Sequence, residues 1–213
     1  ERLEPDVAYN EARNEYLIVY TFGGGGDGNI YGKVSSASMG TLNGEIHICD
    51  DSYDQQHPSV AAGPDEYLVT WDDGTWLTDD YDIFARRLTG EGVPQGPIGG
   101  FPIAMETANF HAESAVAYGS GYGYLVTWQF DEGGLHEEDV YGRYVMPGGD
   151  QAAGDAFEID AGPDAQRSPA LACDSAGDCL VVEEDTWPEV LSEIRGRFVR
   201  PHHVYLPLVL AEE

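Results

Sequence analysis

Carboxylates are the side chains with the numbers and the spacing to do chemistry in this chain. They gather as Asp72-Asp73-Gly74 with Asp79, Asp80 and Asp82, and as Asp131-Glu132 with Glu137, Glu138 and Asp139. Further groups are Glu183-Glu184-Asp185 with Glu189 and Glu193, and Asp50, Asp51 and Asp54. Closely spaced carboxylates repel one another unless water solvates them or a cation bridges them. Calcium is the hard, oxygen-seeking ion that suits flexible clusters of this kind. The candidate metal set is therefore Asp72, Asp73, Asp79, Asp80, Asp82, Asp131, Glu137, Glu138 and Asp139. No loop has the twelve-residue EF-hand pattern, and solvated acidic loops are the alternative. Paired carboxylates also serve glycoside hydrolysis, which needs two of them roughly 5–10 Å apart across a sugar. Trp76 and Trp187 lie in loops beside acidic groups, where an indole either stacks on a sugar as a ligand-binding residue or packs the loop.

Other chemistries find little in the sequence. There is no Gly-x-Ser-x-Gly elbow. The six histidines share no common spacing, and the glycine run at 23–26 lacks the Gly-Lys-Ser/Thr ending of a phosphate loop. Ten basic against 39 acidic residues give a net charge of −29, which repels phosphate backbones and argues against nucleic acid and anionic membranes as partners. No stretch approaches the ~20 apolar residues of a spanning helix. Cys173 and Cys179 flank a turn-like Asp174-Ser175-Ala176-Gly177-Asp178. They read as a disulfide formed in an oxidising compartment, with a pair of buried thiols as the alternative. Cys49 is left over.

The elements that must position these residues come as a repeat. Val7-Ala8, Val60-Ala61, Val116-Ala117 and Leu171-Ala172 each open a unit, at successive spacings of 53, 56 and 55 residues. Each opening leads to an apolar run, as in Tyr67-Leu68-Val69-Thr70-Trp71, and then to a segment such as Ile83-Phe84-Ala85-Arg86. In the second unit the expected strands are Ser59–Ala62, Tyr67–Trp71, Ile83–Leu88 and Phe101–Met105, with Gly63-Pro64-Asp65 as the first turn. The second strand is apolar on both faces, so it belongs in a sheet sandwiched between two others. Lys33, Arg86, Arg143 and Arg197 fall at one repeat position. That regularity predicts a structural cation between neighbouring units, meeting carboxylates or carbonyls; a ring of substrate-binding arginines is the sharper alternative. Cys173 and Cys179 take the places that Tyr9 and Tyr16, and Tyr118 and Tyr124, hold elsewhere.

The pattern P-x-V-A, Y-L-V-x-W, D-I-Y-G-R resembles β-propeller-like repeats of large secreted bacterial proteins. The ending Val204-Tyr205-Leu206-Pro207-Leu208-Val209-Leu210 resembles a tail on exported proteins of filamentous thermophilic bacteria. The resemblance implies an extracellular or cell-surface repeat protein and supplies no catalytic site.

The expected fold is all-β: four tandem four-stranded antiparallel units, most simply a small β-propeller. Residues 1–201 form the repeat domain, with units at about 5–57, 58–112, 113–168 and 169–201, and 202–213 form a C-terminal strand or tail. The fourth unit is irregular, so its tail either completes the unit or pairs with a neighbouring molecule. The functional expectation is a non-enzymatic structural or adhesive protein that associates with copies of itself, into a filament through Val204, Tyr205, Leu206, Leu208, Val209 and Leu210. A lectin-like propeller binding cell-surface glycans is the first alternative, and a glycoside hydrolase the second.

Overall fold

The computed structural model describes all residues except 24–25, 39–43, 75–80, 106–109, 132–137, 150–151, 187–191, 201–202, 205–207 and 210–213. Among the described residues every regular element is a strand, and no helix is long and apolar enough to cross a membrane. The strands make four antiparallel sheets, each from consecutive elements. The first holds β1 (Arg2–Asn10), β2 (Glu15–Phe22), β3 (Asn29–Ser36) and β4 (Ile46–Cys49). The second holds β5 (Asp54–Ala62), β6 (Glu66–Gly74), β7 (Tyr81–Thr89) and β8 (Phe101–Ala104). The third holds β9 (Phe110–Gly119), β10 (Gly123–Asp131), β11 (Glu138–Val145) and β12 (Ala152–Asp160). The fourth holds β13 (Ala165–Cys173), β14 (Cys179–Thr186), β15 (Glu193–Arg200), β16 (His203–Val204) and β17 (Leu208–Val209).

This is the expected all-β repeat. Gly63 N–H donates to Glu66 O at 2.8 Å, closing the Gly63-Pro64-Asp65 turn. Arg200 pairs with His203 and Arg195 with Val209, so β16 and β17 run along β15 as one edge. The tail backbone at Val204, Leu208 and Val209 is thus used inside the fourth sheet. Tyr205, Leu206 and Leu210 lie outside the described residues.

Sheets pack face to face in chain order. Leu17, Val19, Ile30 and Ile48 of the first sheet pack on Val60, Tyr67, Val69 and Trp71 of the second. Leu68, Ile83, Phe101 and Ile103 then pack on Val116, Tyr124, Val126 and Trp128. Leu125, Val140 and Ile159 pack on Cys179, Val181 and Val199. Tyr67, Leu68, Val69, Thr70 and Trp71 are each 0% exposed, as a strand covered on both faces requires. Close approach within a sheet needs a small residue on the third strand. A Cβ on Gly142 would stand 2.7 Å from Ile159 Cδ1, and one on Gly32 2.9 Å from Ile48 Cδ1.

The repeated cations bind the joints, as the regular spacing predicts. Arg86 donates through Nη1 to Ile48 O of the preceding sheet at 2.6 Å, and through Nε and Nη2 to Gln95 O and Gly96 O at 3.0 and 3.1 Å. Arg143 donates to Ile103 O at 2.7 Å and Gly154 O at 2.9 Å. In the fourth sheet Arg197 instead clasps the Asp160 carboxylate, with Nε at 2.8 Å from Oδ2.

That exchange accompanies a second one. Glu183 sits where Trp71 and Trp128 sit in the middle sheets, and it is buried beside Asp160. Burial first, and the Asp160 charge second, push its carboxyl well above the usual carboxylate range. The cross-strand pair Cys173 and Cys179 forms the expected disulfide, in the place of the tyrosine contacts Tyr9–Tyr16 and Tyr118–Tyr124. It marks an oxidising environment. Cys49 is a buried free thiol that burial pushes up to about 12.

Two outcomes are expected. A carboxyl with a raised native pKa binds its proton more tightly folded than unfolded, so the stability it contributes is full at low pH and is lost as pH rises through neutral. Urea unfolding should show the wild type losing stability above the ordinary carboxylate range, and Glu183→Gln should flatten that loss and exceed the wild type at pH 8 by more than about 1 kcal/mol. Replacing Cys173 and Cys179 together by alanine should cost about 2 kcal/mol by the same measurement, as for a short closed loop.

Candidate functional site

Each inner strand breaks its ladder at one place. The register of β1 with β2 shifts between Leu3 and Asp6, that of β5 with β6 between Gln56 and Ser59, and that of β13 with β14 between Arg167 and Ala170. The pairing of β9 with β10 shifts opposite Thr127 and Gln129. At these bulges Glu4, His57, Glu113 and Ser168 take φ of 52°, 47°, 53° and 50°. Such left-handed backbone costs a residue with a Cβ on the order of 1–3 kcal/mol, and it persists only where the surroundings enforce it. A bulge also re-aims the side chain it carries. All four residues line one basin of about 410 Å³, together with Asp6, Ser59 and Ser114. Four inner strands lining one basin define the common axis of the molecule.

Hydrogen bonds from neighbouring sheets hold the bulges. Glu4 Oε2 accepts from His57 N–H and from Thr21 Oγ1, each at 2.9 Å. Asp72 Oδ2 accepts from Glu113 N–H at 3.0 Å. Gln129 Oε1, one repeat further on, faces Ser168 N–H at 3.5 Å. One row outward, Asp6 Oδ2 accepts from Val60 N–H at 2.8 Å and from Ser59 Oγ at 3.1 Å.

The electrostatics centre on His57. Its Nδ1 lies 2.9 Å from Asp72 Oδ2, and its Nε2 lies 3.5 Å from Glu4 Oε1. The hydrogen bond to Asp72 dominates over partial burial, and the imidazole is raised to about 9, so it is an imidazolium at neutral pH. Asp72 is 1% exposed; burial pushes its carboxyl up, and His57 pulls it back down. The basin therefore carries Glu4 against a fixed cation, Glu113 exposed on the opposite side of β5, and a buried carboxylate beneath.

The sequence-derived candidates scatter. Asp72 belongs to this site, through its contact with His57. Asp73 points to the other face of β6, where it accepts from Trp71 Nε1 at 3.1 Å, and burial raises it to about 6. Asp82 is the cross-strand partner of Asp73, and Glu138 that of Asp131. Glu138 is spent on Arg167, and Asp139 lies opposite Phe130. Among the described residues no three His, Cys, Asp or Glu side chains converge as a metal-binding group. Asp79, Asp80, Glu137, Trp76 and Trp187 fall outside the described residues.

Sequence reasoning passed over Glu4, His57, Glu113 and Ser168. Their signal is positional: each immediately precedes the P-x-V-A opening, as in Glu4-Pro5, His57-Pro58 and Ser168-Pro169, with Ser114 in the proline's place in the third unit.

No family model and no curated protein matches the sequence. Solved structures do. The endo-arabinase of Bacteroides thetaiotaomicron matches with a TM-score of 0.65 at 9% identity, over 93% of this chain and 75% of that one. A thermostable family-43 glycoside hydrolase matches at 0.62 and 10% identity, over 98% of this chain and 74% of that one. A Hadza microbial sialidase matches at 0.64 and 8% identity, over 92% of this chain and 44% of that one. The fold is a β-propeller. At such identity the likeness is one of fold, yet it corrects two expectations. The solved propellers that this chain resembles are glycoside hydrolases, against the reading as a non-enzymatic structural or adhesive filament protein. The in-place pairing of β16 and β17 removes the structural reason for that reading, an unpaired tail strand.

The Asp72–His57 pair gives a direct measurement. A histidine with a raised pKa adds stability that is full below about 6.5 and is lost as pH rises through about 9. Followed by NMR, His57 should titrate near 9 in the wild type. In Asp72→Asn the titration should fall by more than one unit, together with the loss of thermal stability across that window. Titration near 6.5 in the wild type would refute the pairing.

Proposed function

We propose that the chain is a glycoside hydrolase working at the axial basin. The observation that carries this reading is the convergence of Glu4, His57 and Glu113 on one basin, with Asp72 fixed beneath His57. Glycoside hydrolysis needs two carboxyl groups on either side of a sugar, one to give a proton to the leaving oxygen and one to act as base or nucleophile. Glu4, held against the imidazolium, takes the second role. Glu113, exposed in the basin on the other side of β5, is the second carboxyl group. Asp72 and His57 are positioning residues: the buried carboxylate keeps the imidazole charged, and the imidazole holds the Glu4 carboxylate in place.

The solved propellers guide which substrate class to try. A polymeric glycan is favoured, and an arabinan is the first to try, because the endo-arabinase match spans almost the whole chain. A disulfide-bonded, strongly acidic chain suits action outside the cell, and secretion belongs to the same proposal. Reducing-sugar release from debranched arabinan is the test, with a panel of sialosides alongside. Glu4→Gln and Glu113→Gln should each lower kcat/KM by at least about 100-fold while circular dichroism stays native. Hydrolysis of none of these substrates by the wild type, or full activity in both variants, would overturn the assignment.

A further inference from the structure

The second and third sheets meet around a cavity of about 450 Å³ that shares no lining residue with the axial basin. Ile103 of β8 forms one side. Trp128 and Phe130 of β10 and Tyr141 and Arg143 of β11 form the other.

Comparison with the second sheet shows what is unusual in the third. Trp71 donates its indole N–H to Asp73 Oδ2 at 3.1 Å, and Gln55 bonds the same carboxylate. In the third sheet Phe130 stands two residues after Trp128, in the place of Asp73. His111 faces Phe130 across the ladder as Gln55 faces Asp73. The acceptor has been exchanged for a ring while the indole is kept. Trp128 lines the cavity and is 1% exposed, and among the described residues its Nε1–H has no acceptor. Buried donors are paired in all but a small minority of cases, so an orphaned one at a cavity wall points to a ligand.

Arg143 departs from its repeat in the same sense. Arg86 gives Nε, Nη1 and Nη2 to three carbonyls. Arg143 gives Nε and Nη1 to Gly154 O and Ile103 O, and among the described residues its Nη2 has no such bond. The rings beside these donors pack as one surface. Tyr141 lies edge-on to Phe130 at 5.2 Å and nearly parallel to Trp128 at 6.4 Å, centroid to centroid.

A ligand that fills this cavity has to bring oxygen acceptors to the donors and an apolar face to the rings. Water answers an N–H but leaves the rings wet. An aromatic acid answers both, yet a net charge of −29 and the exposed Asp155 on the cavity wall oppose an anion. A neutral sugar meets every condition. Its C–H face packs on aromatic rings, and its hydroxyls accept from N–H groups and donate to a carboxylate.

We infer that the joint between the second and third sheets is a second glycan-binding site, taking one neutral sugar residue against Trp128, Phe130 and Tyr141. No bond is made or broken there. Binding at the joint stands without the catalytic reading; only the anchoring of a polymeric substrate for the axial basin rests on it.

The indole N–H resonance of Trp128, assigned by its loss in Trp128→Phe, reports the site in proton–nitrogen NMR. The probes are the methyl glycosides of arabinose, xylose, galactose and glucose, with galacturonate and benzoate alongside. At least one neutral glycoside should move the resonance saturably, and neither anion should. Tyr141→Ala should weaken that binding at least tenfold. Phe130→Asp, which restores the acceptor of the second sheet, should do the same, with circular dichroism confirming the fold of each variant. Glu4→Gln/Glu113→Gln protein should bind as the wild type does, which separates this site from the axial one. A Trp128 resonance unmoved by every neutral glycoside at about 0.1 M would overturn the inference. So would movement by the anions alone, unchanged binding in folded Tyr141→Ala, or binding lost with the axial carboxyl groups.

Discussion

The hydrogen bond that one sheet gives to the broken ladder of the next is the interaction on which the rest of this molecule depends. A bulge leaves a backbone N–H without its ladder partner, in a region where leaving it unpaired costs on the order of 1–3 kcal/mol. Glu4 answers the N–H of His57, and Asp72 that of Glu113. Because the acceptor comes from the preceding sheet, the bulges at His57 and Glu113 and the joints beside them support each other. Strain, joint and axial basin are therefore one cooperative arrangement. Left-handed φ at His57, Glu113 and Ser168 accompanies it, and Glu4 takes the same φ in the first sheet.

Identical duty at repeated positions leaves chemistry to the departures from the repeat. The cation of the third strand does one job at three joints, so it is structural. The bulge residue differs every time: Glu, His, Glu, Ser. Its backbone has the same task in each sheet, and its side chain is free to differ because it points into the basin. The acceptor position behind it also differs, and only in the second sheet does it place a buried carboxylate against an imidazole. Function in a repeat fold gathers where the backbone is shared and the side chains are not.

The fold was legible in the sequence because strand period and turn chemistry recur at a constant spacing. The disulfide was legible for the same reason: two cysteines replaced two tyrosines that face each other across a hairpin. The axial site was not, since nothing in residue type unites Glu4, His57, Glu113 and Ser168. Their common property is a backbone angle, with contacts 39 to 53 residues away at His57, Glu113 and Ser168. Asp72 and Asp73 show a further limit. Adjacent in sequence, they look like one acidic cluster, but a strand sends successive side chains to opposite faces. One therefore reaches the axis and the other the indole of Trp71.

The central claim is that the axis is where a glycan is held. The most direct measurement is backbone amide NMR during titration with an arabino-oligosaccharide. The largest shifts should fall at Glu4, His57, Glu113 and Ser168 and at their partners Thr21 and Asp72. They should vanish in Glu4→Gln/Glu113→Gln protein that remains folded. Shifts confined to the outer strands, with the axial amides unmoved, would contradict the account.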